Sequence, residues 1–203
     1  MEAVTELYRC LLDDTMALAH SLAGVRVAIM CPAYDLMDLQ QLAGDRANVV
    51  AQRGDGLAAG LDSVFTEFTA HRVRVIAFNS DSPHLPQSVL TSAFETLLTH
   101  DIVVGPTHDG GYYLVGAKTA HSSLFHDDGM GTGSALDALL ERARRLELSV
   151  GLTEQFYDVD VEGDLNRLAA ELRIAPTRAP RTAAWLKRWQ ELAPPLQSAA
   201  GDL

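Results

Sequence analysis

The chain has 203 residues, a length that suits one domain, and such a chain buries roughly 70% of its unfolded surface without needing staples. Hydrophobic residues make up 47% and charged residues 21%, the balance of an ordinary globular domain. The net charge of -11 argues against nucleic acid as a partner, because phosphate contacts need clustered Lys and Arg, but it permits a small anionic ligand bridged by a metal.

Residues 2–22 repeat apolar side chains at Val4, Leu7, Tyr8, Leu11, Leu12, Leu18 and Leu22, which predicts a helix stopped near Gly24. Glu2 and Glu6 stand where a secretory peptide would be basic and apolar, so no signal peptide is read. Val25-Arg-Val-Ala-Ile-Met-Cys31 predicts a strand ended by Pro32. Cys10 and Cys31 read as small buried apolar residues, consistent with a reducing cytoplasm. A short helix at 34–43, a strand at 48–52 and a helix at 56–70 follow.

Val73–Phe78 is the clearest strand, and it runs into Asn79-Ser-Asp-Ser-Pro-His84. A helix from about Pro86 to Thr99 precedes strands at 102–104 and 112–116, joined by the turn-rich Gly105-Pro-Thr-His-Asp-Gly-Gly111. A helix at 134–147, a strand within 148–157 and a helix ending near Leu172 complete the pattern. Alternating strands and helices predict a three-layer α/β/α fold on a largely parallel sheet. No apolar run approaches the ~18 residues that span a bilayer. Residues 1–174 are expected to form the domain and 175–203 a linker, a helix and a frayed tail. In that helix Trp185, Leu186, Trp189 and Leu192 form one stripe, which packs on the domain or on another subunit of a homodimer.

In open α/β sheets ligands bind at the carboxyl ends of the strands. Asp81 lies just past a strand, where Pro83 forces a turn. It either presents a carboxylate to Mg²⁺ or Mn²⁺, or it and Ser82 only stabilise the turn. Asp158-Val-Asp160 repeats the logic, since alternation sends the two carboxylates to one face about 6–7 Å apart. Taken alone, Asp160 reads first as a cap for the following helix, with Asp164 favoured in its first turns by the helix dipole. Asp109 reads as an acceptor for sugar hydroxyls, with Gly110 and Gly111 allowing close backbone approach; the same residues also spell a hairpin turn. Gly129–Ser134 reads as a loop before a helix, or as backbone N–H groups that hold an anion at the helix start. Gln52 lies on the same sheet edge, available to a base, while His84 and His108 lie near the pocket.

Taken together, Phe78-Asn-Ser-Asp-Ser-Pro-His-Leu-Pro86, Asp101-Ile-Val-Val-Gly-Pro106, Asp109-Gly-Gly-Tyr-Tyr-Leu-Val-Gly116 and Tyr157-Asp-Val-Asp160 resemble a known family. It is the small bacterial GT-A-fold glycosyltransferase-like family, of the radical-SAM/selenodomain-associated or arsenosugar-biosynthesis type. The resemblance spans about residues 3–172. It implies a metal-dependent glycosyltransferase that takes a nucleoside diphosphate sugar and an acceptor. It places Asp81 and Asp160 as ligands of Mg²⁺ or Mn²⁺, Asp81 and Asp109 in catalysis, and Gln52, Ser82, His84, His108, Gly110, Gly111 and Tyr112 against substrate. A nucleotidyltransferase of the molybdenum-cofactor or phosphoenolpyruvate guanylyl type is the alternative, and a non-catalytic binding module the third.

Two departures from the family stand out. Its members begin with a strand and a basic loop of the form K-x-P-x-x-G-x-x-K-T-R-L, whereas this chain begins within the helix that follows. The resemblance implies that a sheet without this strand exposes two edges. Near Met130-Gly131-Thr132 relatives read Trp-Ser-Thr, which bears on acceptor recognition.

Overall fold

The computed structural model describes residues 2–70, 73–126 and 133–192. In chain order it comprises α1 (Glu2–His20), β1 (Ala28–Cys31), α2 (Leu36–Ala43), β2 (Asn48–Ala51), α3 (Gly56–Thr69), β3 (Val75–Phe78), α4 (Gln87–Thr96), β4 (Ile102–Pro106), β5 (Tyr112–Ala117), α5 (Ala135–Arg145), β6 (Val150–Leu152), α6 (Glu162–Ile174) and α7 (Pro180–Leu192). The α/β class is as expected. The segment 174–180, expected as a linker, carries a 3-10 turn at Pro176–Arg178.

The expected largely parallel sheet is met in part. Strands β1 and β2 form a parallel pair, in register from Ala28 opposite Asn48 to Cys31 opposite Ala51. A second sheet has the order β3-β5-β4-β6. In it β4 and β6 are parallel, while β5 runs against both β3 and β4. The reversal has a local cause. Only residues 107–111 join β4 to β5, and a parallel crossover needs about a dozen residues or more.

Apolar periodicity explains the layers. Ile102, Val103 and Val104 are all fully buried, so β4 is covered on both faces. Ile102 and Val104 pack with Leu61 and Phe65 of α3 and Leu139 of α5. Val103 points the other way, into Val89, Leu90, Ala93 and Leu97 on or beside α4, with Leu18 of α1 and Leu22 just beyond it nearby. A third cluster joins Leu11 of α1, Leu168 and Leu172 of α6, and Trp185 and Leu186 of α7. Trp189 stacks on Trp185 at 5.3 Å and stays 45% exposed. Residues from Ala193 onward lie outside the described residues.

The start of α7 is fixed by α1. Asp14 is buried, and its carboxylate accepts from the backbone N–H groups of Arg181 (3.2 Å) and Thr182 (2.8 Å). These donors have no partner within their own helix, so a side chain must supply one.

Among the described residues no strand pairing joins the two sheets. A cavity of ≈ 1640 Å³ lies between β1 and β3, roofed by α3 and floored by α1 and α4. Among the described residues no helix is long and apolar enough to cross a membrane.

Candidate metal and substrate site

Three polar segments converge at one edge of the four-stranded sheet. The first continues β3: Asn79 donates its backbone N–H to Tyr113 O (3.0 Å), extending the ladder, before Asp81 and Pro83 turn the chain. The second is the β4–β5 turn. The third follows β6, where Phe156 donates to Pro106 O (3.1 Å) and accepts from His108 N (3.2 Å). Val159 N then donates to Asp81 O (3.2 Å), and Ser82 Oγ donates to Tyr157 O (3.2 Å). Backbone bonds thus carry residues 156–160 across the ends of β4 and β3.

This stitching gathers carboxylates. One oxygen each from Asp109, Asp158 and Asp160 lies within 4.8 Å of the others. Asp109 and Asp160 are exposed, and Asp158 is half-buried. Burial pushes the Asp158 carboxyl up, with Asp160, Asp109 and Asp164 adding repulsion. Asp109 is held below the ordinary range by a short hydrogen bond from Thr107 Oγ1, helped by the Gly111 N–H. Asp81 is not part of this set. Its carboxyl is pushed up to about 6, first by burial and then by the charges of Asp158 and Asp160, while its own backbone N–H lowers it. Its Oδ1 is buried without a hydrogen-bond partner.

An all-carboxylate set suits a hard divalent cation, which prefers oxygen donors. The residues present therefore fit Mg²⁺ or Mn²⁺. The grouping differs from the expected pair of Asp81 and Asp160, since it is Asp109 and Asp158 that share the ion-sized space with Asp160. The open question about Asp160 also resolves. Asp164, not Asp160, accepts from the N–H groups of Asp160 (3.3 Å) and Val161 (3.1 Å) at the start of α6. Asp158 was visible in the sequence as the first half of Asp158-Val-Asp160.

Other expected residues take different places. Ser82 is fully buried and spends its hydroxyl on Tyr157, so its expected contact with substrate gives way to a bracing role. His84 is 1% exposed, stacks on Tyr157 at 4.3 Å and leaves both ring nitrogens unpartnered, so it too is closed off from a ligand. Burial pushes its imidazole down to about 4. Arg167 covers the Tyr157 ring at 3.8 Å. Gln52 follows β2 of the other sheet, where its Nε2 donates to Gly54 O (3.0 Å) and Gly56 O (3.2 Å), bracing the entry to α3. Tyr112 is half-buried against the α3–α5 face, and burial pushes its hydroxyl up to about 12. His108 is exposed beside Asp109.

The turn is both hairpin and site wall. Gly110 has φ +89, and a Cβ there would meet Gly133 O at 2.1 Å, so only glycine fits. Its carbonyl accepts from Leu136 N (3.0 Å), which ties the start of α5 to the turn. A Cβ at Gly111 would meet Thr107 Oγ1 at 2.9 Å. Of the 127–134 loop, residues 127–132 lie outside the described residues, and with them Met130, Gly131 and Thr132.

Comparison with solved structures finds a protein of Desulfovibrio desulfuricans G20 named as a "putative nucleotide-diphospho-sugar transferase". The two are 25% identical, with a TM-score of 0.84, over 94% of this chain and 85% of that one. The fold is therefore GT-A-like. No curated protein matches this chain. Residues 15–132 match the model of a family described as "Uncharacterized protein conserved in bacteria (DUF2064)". The match takes in β3, Asp81 and the Asp109–Gly111 turn, and the chain belongs to this bacterial family.

Proposed function

We propose that the chain is a metal-dependent glycosyltransferase that takes its donor from the nucleoside diphosphate sugars. The supporting observation is the triad of Asp109, Asp158 and Asp160 carboxylates at the strand ends of a nucleotide-sugar-transferase-like fold. A protein of net charge -11 repels a diphosphate unless a cation stands between them. Asp109, Asp158 and Asp160 would hold Mg²⁺ or Mn²⁺, which supplies charge neutralisation on the departing diphosphate. Asp81 closes the acidic wall from β3. The Gly110–Gly111 backbone and exposed His108 bound the sugar side of the turn, and the acceptor enters over residues 127–134.

Transfer breaks the bond from the anomeric carbon to the diphosphate, which leaves with the electron pair. The acceptor forms the new bond to that carbon and releases its proton to solvent water. The resemblance to arsenosugar-type transferases directs the search for that acceptor, and the reading places the protein in the cytoplasm.

Calorimetry with a panel of nucleoside diphosphate sugars, with and without Mn²⁺, tests the reading. Binding of one donor only with Mn²⁺, abolished by Asp158→Asn, supports it. Absence of binding across the panel with Mn²⁺ present defeats it. Consumption of a nucleoside triphosphate with pyrophosphate release would assign the site to nucleotidyl transfer instead.

A further inference from the structure

The turn that carries Asp109 holds its carboxylate so that the two oxygens are unequal. Thr107 Oγ1 and Gly111 N both donate to Oδ1, the second at 3.2 Å. An ionised carboxylate has about four lone-pair positions, two on each oxygen. Two donors therefore fill Oδ1, and Oδ2 is the oxygen left for an ion. A Cβ at position 111 would meet Thr107 Oγ1 at 2.9 Å and Asp109 Oδ1 at 3.4 Å, so glycine there admits the close approach of both groups.

Thr107 is anchored through all of its polar groups. It is 2% exposed, and a buried hydroxyl takes an acceptor. Its N–H donates to Gly111 O (3.0 Å), and its carbonyl accepts from Gln155 Nε2 (2.9 Å). It also forms a parallel bridge with Phe156, on the segment that continues to Asp158 and Asp160. Its β-branched side chain is stiff at χ1, so an anchored backbone means an anchored hydroxyl. One residue thus fixes the Asp109 carboxylate relative to the chain that carries the other two.

We propose, resting on the metal-dependent reading above, that Thr107 is a positioning residue that sets the ion preference of the site by restricting Asp109 to one coordinating oxygen. Ca²⁺ takes about 6–8 oxygen ligands in flexible geometry and accepts bidentate carboxylates, whereas Mg²⁺ demands an octahedron. Mn²⁺ shares the octahedral preference. A carboxylate clamped at Oδ1 supplies a single ligand in a fixed direction, which suits the octahedron. Released from Thr107, the same carboxylate can turn both oxygens to one ion, which suits Ca²⁺.

Electron paramagnetic resonance of free Mn²⁺ tests this, in titrations of the parent chain and its variants with Mn²⁺ alone and in competition with Ca²⁺. Thr107→Val keeps the shape and removes the donor. Its Mn²⁺ affinity should fall about 10-fold while its Ca²⁺ affinity holds or rises, so the Mn²⁺ preference drops by about 10-fold or more. Thr107→Ser keeps the hydroxyl and should restore the parent preference. Thr107→Ala, smaller than the native residue, carries the same expectation as Thr107→Val and serves if that variant does not fold. Loosening the turn without reaiming Asp109 weakens both ions alike. An unchanged preference in Thr107→Val and Thr107→Ala therefore overturns the inference, whatever the absolute affinities. So does a Thr107→Ser variant that follows Thr107→Val, or a parent chain that prefers Ca²⁺. A parent chain that binds no Mn²⁺ defeats the metal-dependent reading itself, and the inference with it.

Discussion

Neutralising Asp158 should stabilise the protein without an ion and remove its response to one. In Asp158→Asn the side chain keeps its shape and loses its charge. The carboxylate oxygens of Asp109 and Asp160 lie within 4.8 Å of that of Asp158, and each like-charge pair at that distance costs about 0.9 kcal/mol at a water-like dielectric constant. The exposed partners justify that value over a lower dielectric constant. Removing both pairs gains about 1.5–2 kcal/mol, which in a chain of this size raises Tm by roughly 3–8 °C. In the parent chain, Mn²⁺ at 100 times its dissociation constant adds about 2.7 kcal/mol, or roughly 5–11 °C. Differential scanning fluorimetry in EDTA and in Mn²⁺ reads both effects. The expected pattern is a higher Tm in EDTA and a lost Mn²⁺ shift. A variant that melts lower in EDTA, or keeps the full Mn²⁺ shift, refutes the claim that these carboxylates repel one another and share a cation.

Asp14→Ala leaves the Arg181 and Thr182 N–H groups at the start of α7 without their acceptor, and a loss of about 2–3 kcal/mol is expected in urea unfolding, with Asp14→Asn costing less. His84 titrates at about 4 in the fold against 6.5 when exposed, because burial disfavours its charge. Its contribution is therefore complete above pH 6.5 and falls away as pH drops from 6.5 to 4, by about 3 kcal/mol in all. The difference in unfolding free energy between parent and His84→Leu, measured at pH 7.5 and pH 4.5, should change by about 2.5 kcal/mol in favour of the variant at the lower pH.

Strands and helices were legible where side chains alone decide them. Ile102-Val-Val104 is apolar at every position because both faces are buried, and the Leu61–Phe65–Phe68 spacing marks α3. Strand direction was less so. The Asp109-Gly110 turn was read both as a hairpin and as a ligand loop, and it is the hairpin that reverses β5. The carboxylate grouping was partly visible, since Asp158 and Asp160 announce themselves by alternate spacing. That Asp109 joins them depends on residues 156–160 crossing the end of β4, a pairing no local pattern encodes. The same crossing buries Ser82 and His84. Their turn-rich, polar surroundings in the sequence point to solvent, whereas a segment some seventy-five positions away closes over them. Gln52 looked available to a ligand because its bonds to Gly54 and Gly56 depend on how that loop folds.

The bonds from Val159 N to Asp81 O and from Ser82 to Tyr157 O involve main chain or a bracing hydroxyl, never the acidic groups themselves. The frame that aims Asp158 and Asp160 is thus independent of their identity, whereas the Asp109 carboxylate itself accepts from Thr107 and Gly111 within its turn. Donor atoms at 158 and 160 are exchangeable parts: imidazole in place of carboxylate at those positions would sit on an unchanged skeleton and shift preference from magnesium toward zinc or nickel. A lineage carrying this edge could alter its ion, and with it the chemistry, by side-chain replacement alone.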